Sequence, residues 1–541
     1  MIRLLAVLAA ASATAWAQFN GLATPSDGSA VYFTTSLRLK GTLEPPWGKV
    51  FVADERGVRL VRSRELRTLP LPPDYIGNCV VGQLVGFGSV ELSADGRTMA
   101  AVGGRWKAGQ CHVFGIATLL STPLGSRDIS GALRISANAR WAIVDTTVGF
   151  NGDDSAAFLD LQSGAQTSIP LAAGQALLQP LSFATGRTIA DDGTALLSQG
   201  GKPYITRPGQ PLQPFPVAGS TPWAISATGS RVLYSSADGV HVLDLGTGVD
   251  LAFGAGLPMG LSDDGAVAAL VRGGQLYVAD RQVGSVPEGV ASAVLSGNGK
   301  IACAVTTTGR LMKIAVDTGV TTQIVGRTPE VSSTGAIVDA GQFTTITGHG
   351  FADQSYTASP PLPLTLGGVT VTLDGRTLAI SGVTPTAIDV LIPWDMASND
   401  QRTLVVNSSA AQTPFEAPQG TLQATGGVRA GALYRQDWSS QVSDLTVHTG
   451  EIIHVFAVGL GAVTPEVPTG SAAPSSEPLA RLASPMTCSN ATVLYAGLQP
   501  GTVARIYQVD LQIGTKTGYQ QFSCTVGGGT AFAFLTLNVV P

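Results

Sequence analysis

Few side chains in this sequence are placed to do chemistry, and the most suggestive of them are Arg105-Trp106-Lys107 with His112 close behind. An indole flanked by two cations can stack on a sugar ring or an aromatic ligand, and His112 is the histidine expected on the same loop-rich rim. Trp223, three residues ahead of Ser226, is expected to reach the same face. These aromatics could equally cover the base of a loop, so packing and ligand binding both stay open. His241 lies between two valines and reads as structural, and His349, His448 and His454 have no cluster of acids beside them. Gly-x-Ser-x-Gly, His-Glu-x-x-His, Gly-x-x-x-x-Gly-Lys-Ser/Thr and Gly-x-Gly-x-x-Gly are all absent, so no catalytic residue is assigned. No cysteine pair has C-x-x-C spacing, and Asn151, Asp153 and Asp154 lack a calcium-loop spacing. Neither a metal nor a cofactor is expected.

The five cysteines fit an exported chain. Proximity pairs Cys79 with Cys111 and Cys488 with Cys524, leaving Cys303 as a buried thiol in the strand-like run Lys300 to Val305. A secretory leader over 1–17 is read from Arg3, the apolar run Leu4 to Ala13 and the Ala15-Trp16-Ala17 cleavage site. That run is too short to cross a bilayer, and no later one reaches about 18 residues, so membrane insertion is not expected. A net charge of −5 supplies no basic field for nucleic acid. Charged residues at 13% against 44% hydrophobic exclude disorder as the bulk state.

The elements that must position these residues follow a repeat. Ser-x-Asp-Gly or a variant recurs at Pro25, Ser93, Ser136, Ala190, Ser226, Ser262 and Ser296, with starts 34 to 68 residues apart. Each copy precedes a short apolar strand, and a second turn such as Leu243-Asp244-Leu245-Gly246-Thr247-Gly248 follows. Four strands per period of about 45 residues is the signature of a propeller blade. About seven blades are expected, with an eighth, degenerate blade the alternative. The turn aspartates Asp27, Asp95, Asp192 and Asp264 read as caps. The innermost strands, such as Trp223-Ala224-Ile225 and Met259-Gly260-Leu261, read as apolar. The rim opposite the turns carries long loops at Leu71–Gly88, Gly103–Gln110 and Thr146–Asp154, where binding is expected.

These turns resemble the TolB-like, WD40-like propeller repeats of exported bacterial proteins, whose blades carry Ser-Pro-Asp-Gly; here every copy lacks that second-position proline. After residue 326 the period changes. Gly341–Gly350 recurs as Gly450–Gly461, Gly368–Gly375 as Ala491–Gly497, Ile388–Ile392 as Val509–Ile513, and Thr403–Asn407 as Leu535–Val539. Leu366-Gly367-Gly368-Val369-Thr370-Val371, Ile392-Pro393-Trp394 and Val458-Gly459-Leu460-Gly461-Ala462-Val463-Thr464-Pro465 resemble the C-terminal domain of Solibacter-type exported proteins, of Ig-like, IPT/TIG-like character. That resemblance implies fold class and export, and no activity.

The expected architecture is all-β: leader 1–17, β-propeller 18–326, Ig-like β-sandwich module 327–415, connecting segment 416–449, and a second Ig-like module 450–541. The leading function is an exported, non-enzymatic binding protein whose partner is an extracellular protein or carbohydrate. It would be secreted, periplasmic or at the cell surface. A propeller lyase or hydrolase acting on extracellular polymers is the alternative, and a structural envelope component a third.

Overall fold

The computed structural model describes residues 19–35, 37, 39–40, 49–62, 84–106, 114–145, 156–169, 178–179, 186–199, 201–332, 336–396, 401–409, 413–417, 419–425, 428–439, 446–529 and 532–541. The chain forms two compact units, one of residues up to Thr328 plus 412–416, the other of 329–411 and 417–541. The leader lies outside the described residues. So do Cys79 and Cys111.

The first unit is a β-propeller. Among the described residues it contains seven four-stranded antiparallel sheets, spanning 20–62, 84–130, 132–168, 178–214, 221–254, 257–282 and 290–325. In each, strands pair in chain order. The recurring turn joins the first strand to the second, as the repeat predicts. At the Ser93 copy, the serine hydroxyl accepts the Thr98 N–H at 3.0 Å and donates to Asp95 Oδ1 at 2.6 Å. The same Asp95 oxygen accepts the Arg97 N–H at 3.0 Å. Gly96 closes the turn at φ 68°, a conformation that costs a Cβ-bearing residue. In the third sheet Ala139 stands at that place with φ 55°.

The seven turns also bond to one another. Ser26 N–H donates to the Ala94 carbonyl, Ala94 to Ala137, Asp191 to Ala227, Ala227 to Asp263, and Asp263 to Gly297, all at 2.7–2.9 Å. Asn138 N–H donates to the Asp191 carboxylate at 2.8 Å. Asn298 N–H returns to the Ser26 carbonyl at 2.8 Å, so the circuit closes on itself. The second residue of every turn therefore faces the axis, while the third caps its own turn.

Seven apolar clusters occupy the seams between neighbouring sheets. Six are built mainly from small and branched residues. The seam between the first and last sheets differs in being filled by aromatic rings, one of them from outside the repeat. There Phe19, Phe33, Phe51 and Phe415 interlock, with Phe51 and Phe415 edge to face at 5.5 Å. Phe415 is fully buried and arrives from far along the chain, its backbone fixed by Lys40 N–H donating to the Pro414 carbonyl at 2.9 Å. Cys303 is free and buried in the same seam, as expected. Burial pushes its thiol up to about 12.

Two loop expectations are corrected. Leu84–Gly88 belongs to the long strand Leu84–Leu92, and Gly103–Trp106 to Met99–Trp106, because the two pair with each other over most of their length.

The second unit holds two lobes with one strand plan. In the first, the strands run Glu330–Val331, Phe343–His349, Ala387–Leu391, Ala379–Val383 in one sheet, and Ala336–Asp339, Gln419–Thr425, Gln401–Ser408, Val369–Leu373 in the other. Both sheets contribute to one core centred on Ile346, Val371, Val390 and Leu404. In the second lobe the series Arg429–Arg435, Ile452–Val458, Tyr507–Ile513, Ala491–Leu498 repeats the first order. Thr446–His448, Phe532–Val540, Gly518–Val526, Met486–Cys488 repeats the other. In each lobe the early strand pairs parallel with the last one. Cys488 and Cys524 are cross-strand partners and form a disulfide.

Three details depart from the sequence reading. Residues 416–449 are not simply a connection, since they supply strands Gln419–Thr425, Arg429–Arg435 and Thr446–His448. Strand Val369–Leu373 corresponds by pairing to Met486–Cys488 rather than to Ala491–Gly497, and Gln401–Ser408 to Gly518–Val526 rather than to the last strand. Alternating Val, Thr and Leu look alike from strand to strand, so similarity slipped by one element while the order survived.

Candidate functional site

The first strands of the seven sheets approach closely around the axis because small residues line it. A Cβ on Gly21 would sit 2.7 Å from Ser89 Cα, and one on Gly186 would sit 2.4 Å from the Ala224 Cβ. Several of these strands bulge, at Gly21, Trp223, Met259 and Ala291 among others. A bulge bends the strand and re-aims its side chains. Between them lies a cavity of about 310 Å³. Its apolar wall includes Phe19, Leu22, Val90, Leu261 and Val294, and its charged groups are Glu91, Arg134, Arg187 and Asp263.

Two ion pairs organise these charges. Arg134 Nη1 donates to Glu91 Oε1, and Glu91 Oε2 accepts the Ile135 N–H at 3.0 Å. Both side chains are largely buried. At the turn end, Asp263 accepts from Arg187 Nη1 on one oxygen and from the Ser26 hydroxyl on the other. These partners come from the fourth, sixth and first sheets, so the bridge crosses the axis. It forms only because Gly297 has no side chain: a Cβ there would lie 1.9 Å from Asp263 Oδ2 and 2.2 Å from Ser26 Oγ. Burial pushes the neighbouring Asp191 carboxyl above the usual carboxylate range, and Asp263 adds to this against the Asn138 N–H and the Arg187 cation.

The expectation of an almost uncharged axis is thus corrected. The signal was present but unread. Glu91 and Arg134 each stand two residues before their turn serine, an equivalent place in adjacent sheets. Asp191 and Asp263 double the acid in Asp191-Asp192-Gly193 and Asp263-Asp264-Gly265, and the extra acid occupies the axial position of the turn.

The residues singled out from sequence fall elsewhere. Arg105 and Trp106 end strand Met99–Trp106, opposite Gly115 and Phe114. Their side chains, and Lys107 and His112 altogether, lie outside the described residues. Trp223 is half-buried, and its indole N–H donates to the Ser235 hydroxyl of its own sheet at 3.0 Å; it does not line the cavity. His241 stacks on Tyr234 within the fifth sheet. His454 gains a partner that sequence proximity did not show, with its Nδ1 2.7 Å from Asp510 Oδ1 under the Trp438 ring. Among the described residues, no three His, Cys, Asp or Glu side chains converge as a metal site, and no helix is long and apolar enough to cross a membrane.

Fold and cavity together define a β-propeller with an axial pocket. Among solved structures, the chain is similar to the β-propeller domain of the Trilobed protease from Pyrococcus furiosus, a domain of open velcro topology, at 12% identity and TM-score 0.37, over 57% of this chain and 98% of that one. It is also similar to a chain of the mitotic checkpoint complex at 11% identity and TM-score 0.34, over 56% of this chain and 91% of that one. No family model matches the sequence, and neither does any curated protein.

Proposed function

We propose that this is an exported, non-enzymatic binding protein whose propeller is the recognition module and whose two lobes are an Ig-like spacer or attachment pair of the Solibacter type. The axial cavity carries this reading. A concave pocket that joins apolar walls to convergent polar groups is how proteins hold small ligands, and this one is ringed by sheets that hydrogen bonds join into a closed circuit. The Ser26–Asp263–Arg187 bridge spans the turn end, so a ligand enters from the opposite end. From there the flanking strands depart for 63–83, 107–113 and 146–155. Arg105, Trp106, Lys107, His112 and Trp223 remain the proposed contacts for a larger extracellular protein or carbohydrate at that rim. The disulfide in the second lobe supports an oxidising compartment, in keeping with a leader at 1–17 and a Cys79–Cys111 bridge.

An enzyme acting on extracellular polymers draws on one observation, two carboxyl groups close together near the axis, Asp191 raised by burial and Asp263 beside it, since paired carboxyl groups can divide acid and base roles. Asp191 instead accepts the Asn138 N–H and does not line the cavity, which favours binding. The test is a thermal-shift screen of small acids, amines and saccharides on the full chain and on Ser292→Trp, which fills the cavity wall. A ligand at one hundred times its Kd stabilises by about 2.7 kcal/mol. It should raise the melting temperature of the wild type alone. Equal stabilisation of a folded Ser292→Trp, or turnover of a polymer by the wild type, would count against the proposal.

A further inference from the structure

The second unit contains a cation without a counterpart. Arg505 is 7% exposed, and neither Nη1 nor Nη2 has a hydrogen-bond partner. It stands where the two lobes meet. Its own N–H donates to the Gly341 carbonyl at 2.8 Å, and nearby Leu362 N–H donates to the Gly470 carbonyl at 2.8 Å. The guanidinium carbon lies 3.9 Å from the Trp394 ring centroid. That contact satisfies the face of the cation but leaves its N–H edge unmet.

The neighbours do not supply a compensating charge. Asp395 is held by Arg376 Nη1 at 2.5 Å, Glu466 is exposed, and the Tyr507 hydroxyl, which donates to the Gly461 carbonyl and lies close enough to Arg505 to favour its charge, is neutral. Arginine stays protonated in proteins, so it cannot escape by losing its charge. Leaving a buried cation without a counter-charge is strongly unfavourable. Beside it is a recess of about 10 Å³ lined by Val467, Thr469, Ser471 and Thr502, room for one small group. The Thr502 hydroxyl donates to the Gln499 carbonyl at 2.8 Å. The Thr469 and Ser471 hydroxyls are available as donors to a guest.

We propose that this recess is an anion site, in which Arg505 with the Thr469 and Ser471 hydroxyls takes one small anionic acceptor, a chloride ion or one oxygen of a carboxylate. Water would meet the geometry but not the charge, and hydrogen bonds to an ionised partner are about twice as strong as neutral ones. The bound anion would join the two lobes, since Trp394 belongs to the first and Arg505 to the second.

Chlorine-35 NMR on the full chain tests this directly, because exchange with a protein site broadens the chloride line. The wild type should show excess line width that saturates with chloride. Arg505→Met should abolish it. The double variant Thr469→Val, Ser471→Ala keeps the arginine and should raise the half-saturating chloride about tenfold; it guards against a misfolded Arg505→Met. Added acetate that removes the excess width identifies a carboxylate as an alternative occupant, and acetate that does not confines the site to monatomic ions. No excess broadening in the wild type, or equal broadening in folded variants, would mean water fills the recess and would overturn the proposal.

Discussion

Gly297 has no side chain, and the propeller axis depends on that. Gly297→Ala should push Asp263 and Ser26 apart and lower stability by about 1–3 kcal/mol, the usual cost of overpacking, read by denaturant melting. Ala139 is the opposite case, a Cβ held at φ 55° where the other turns place glycine. Ala139→Gly should therefore stabilise by roughly 0.5–1 kcal/mol. The third-position acids set an acid limit. Asp95 and Asp264 are held below the usual carboxylate range, chiefly by the Ser93 and Ser262 hydroxyls and then by the Arg97 and Ala266 N–H groups. Their folded pKa lies below the unfolded one. Their stabilisation is thus complete above pH ~4 and disappears as pH falls through the folded value. Asp95→Asn should flatten the fall in stability below about pH 4, and an unchanged acid limb in chemical denaturation would contradict this.

At the scale of elements, the seam between the first and last sheets is closed by a residue from outside the repeat. Phe415→Ala should cost about 3–5 kcal/mol. It should also loosen the seam that buries Cys303, so the labelling rate of that thiol, followed by peptide mass, should rise many-fold while the Cys488–Cys524 peptides stay unmodified. Labelling no faster than wild type would show that Phe415 does not hold the seam. Nothing in the repeat announced this residue. It was legible only as a phenylalanine in a proline- and serine-containing stretch, because the contact that matters is with Phe19 and Phe51, hundreds of residues earlier.

At the scale of the molecule, the change of period near 326–329 coincides with the division of units after Thr328, but 412–416 belongs to the first unit. A cut by limited proteolysis at 326–329 should therefore leave fragments that remain associated under native conditions, because the second carries Phe415. Free separation on a sizing column would contradict this. A chain ended at 328 should melt below the propeller of the full chain.

The all-β class, the repeat of turns, the capping aspartates and the Cys488–Cys524 pair were determined by sequence alone, because each rests on chemistry local to a turn or on a short period. Local rules also placed Cys303 in a buried strand, since an apolar run with one thiol has few other homes. The closed circuit of turn hydrogen bonds, the Ser26–Asp263–Arg187 bridge, the unpaired Arg505 and the role of Phe415 were decided by tertiary structure. Each joins residues separated by tens to hundreds of positions, and what matters in each is the missing or meeting atom: no Cβ on Gly297, no acceptor for Arg505, an aromatic edge against Phe51. A sequence states which atoms a residue has. Only the fold states which other atoms stand within three ångströms of them.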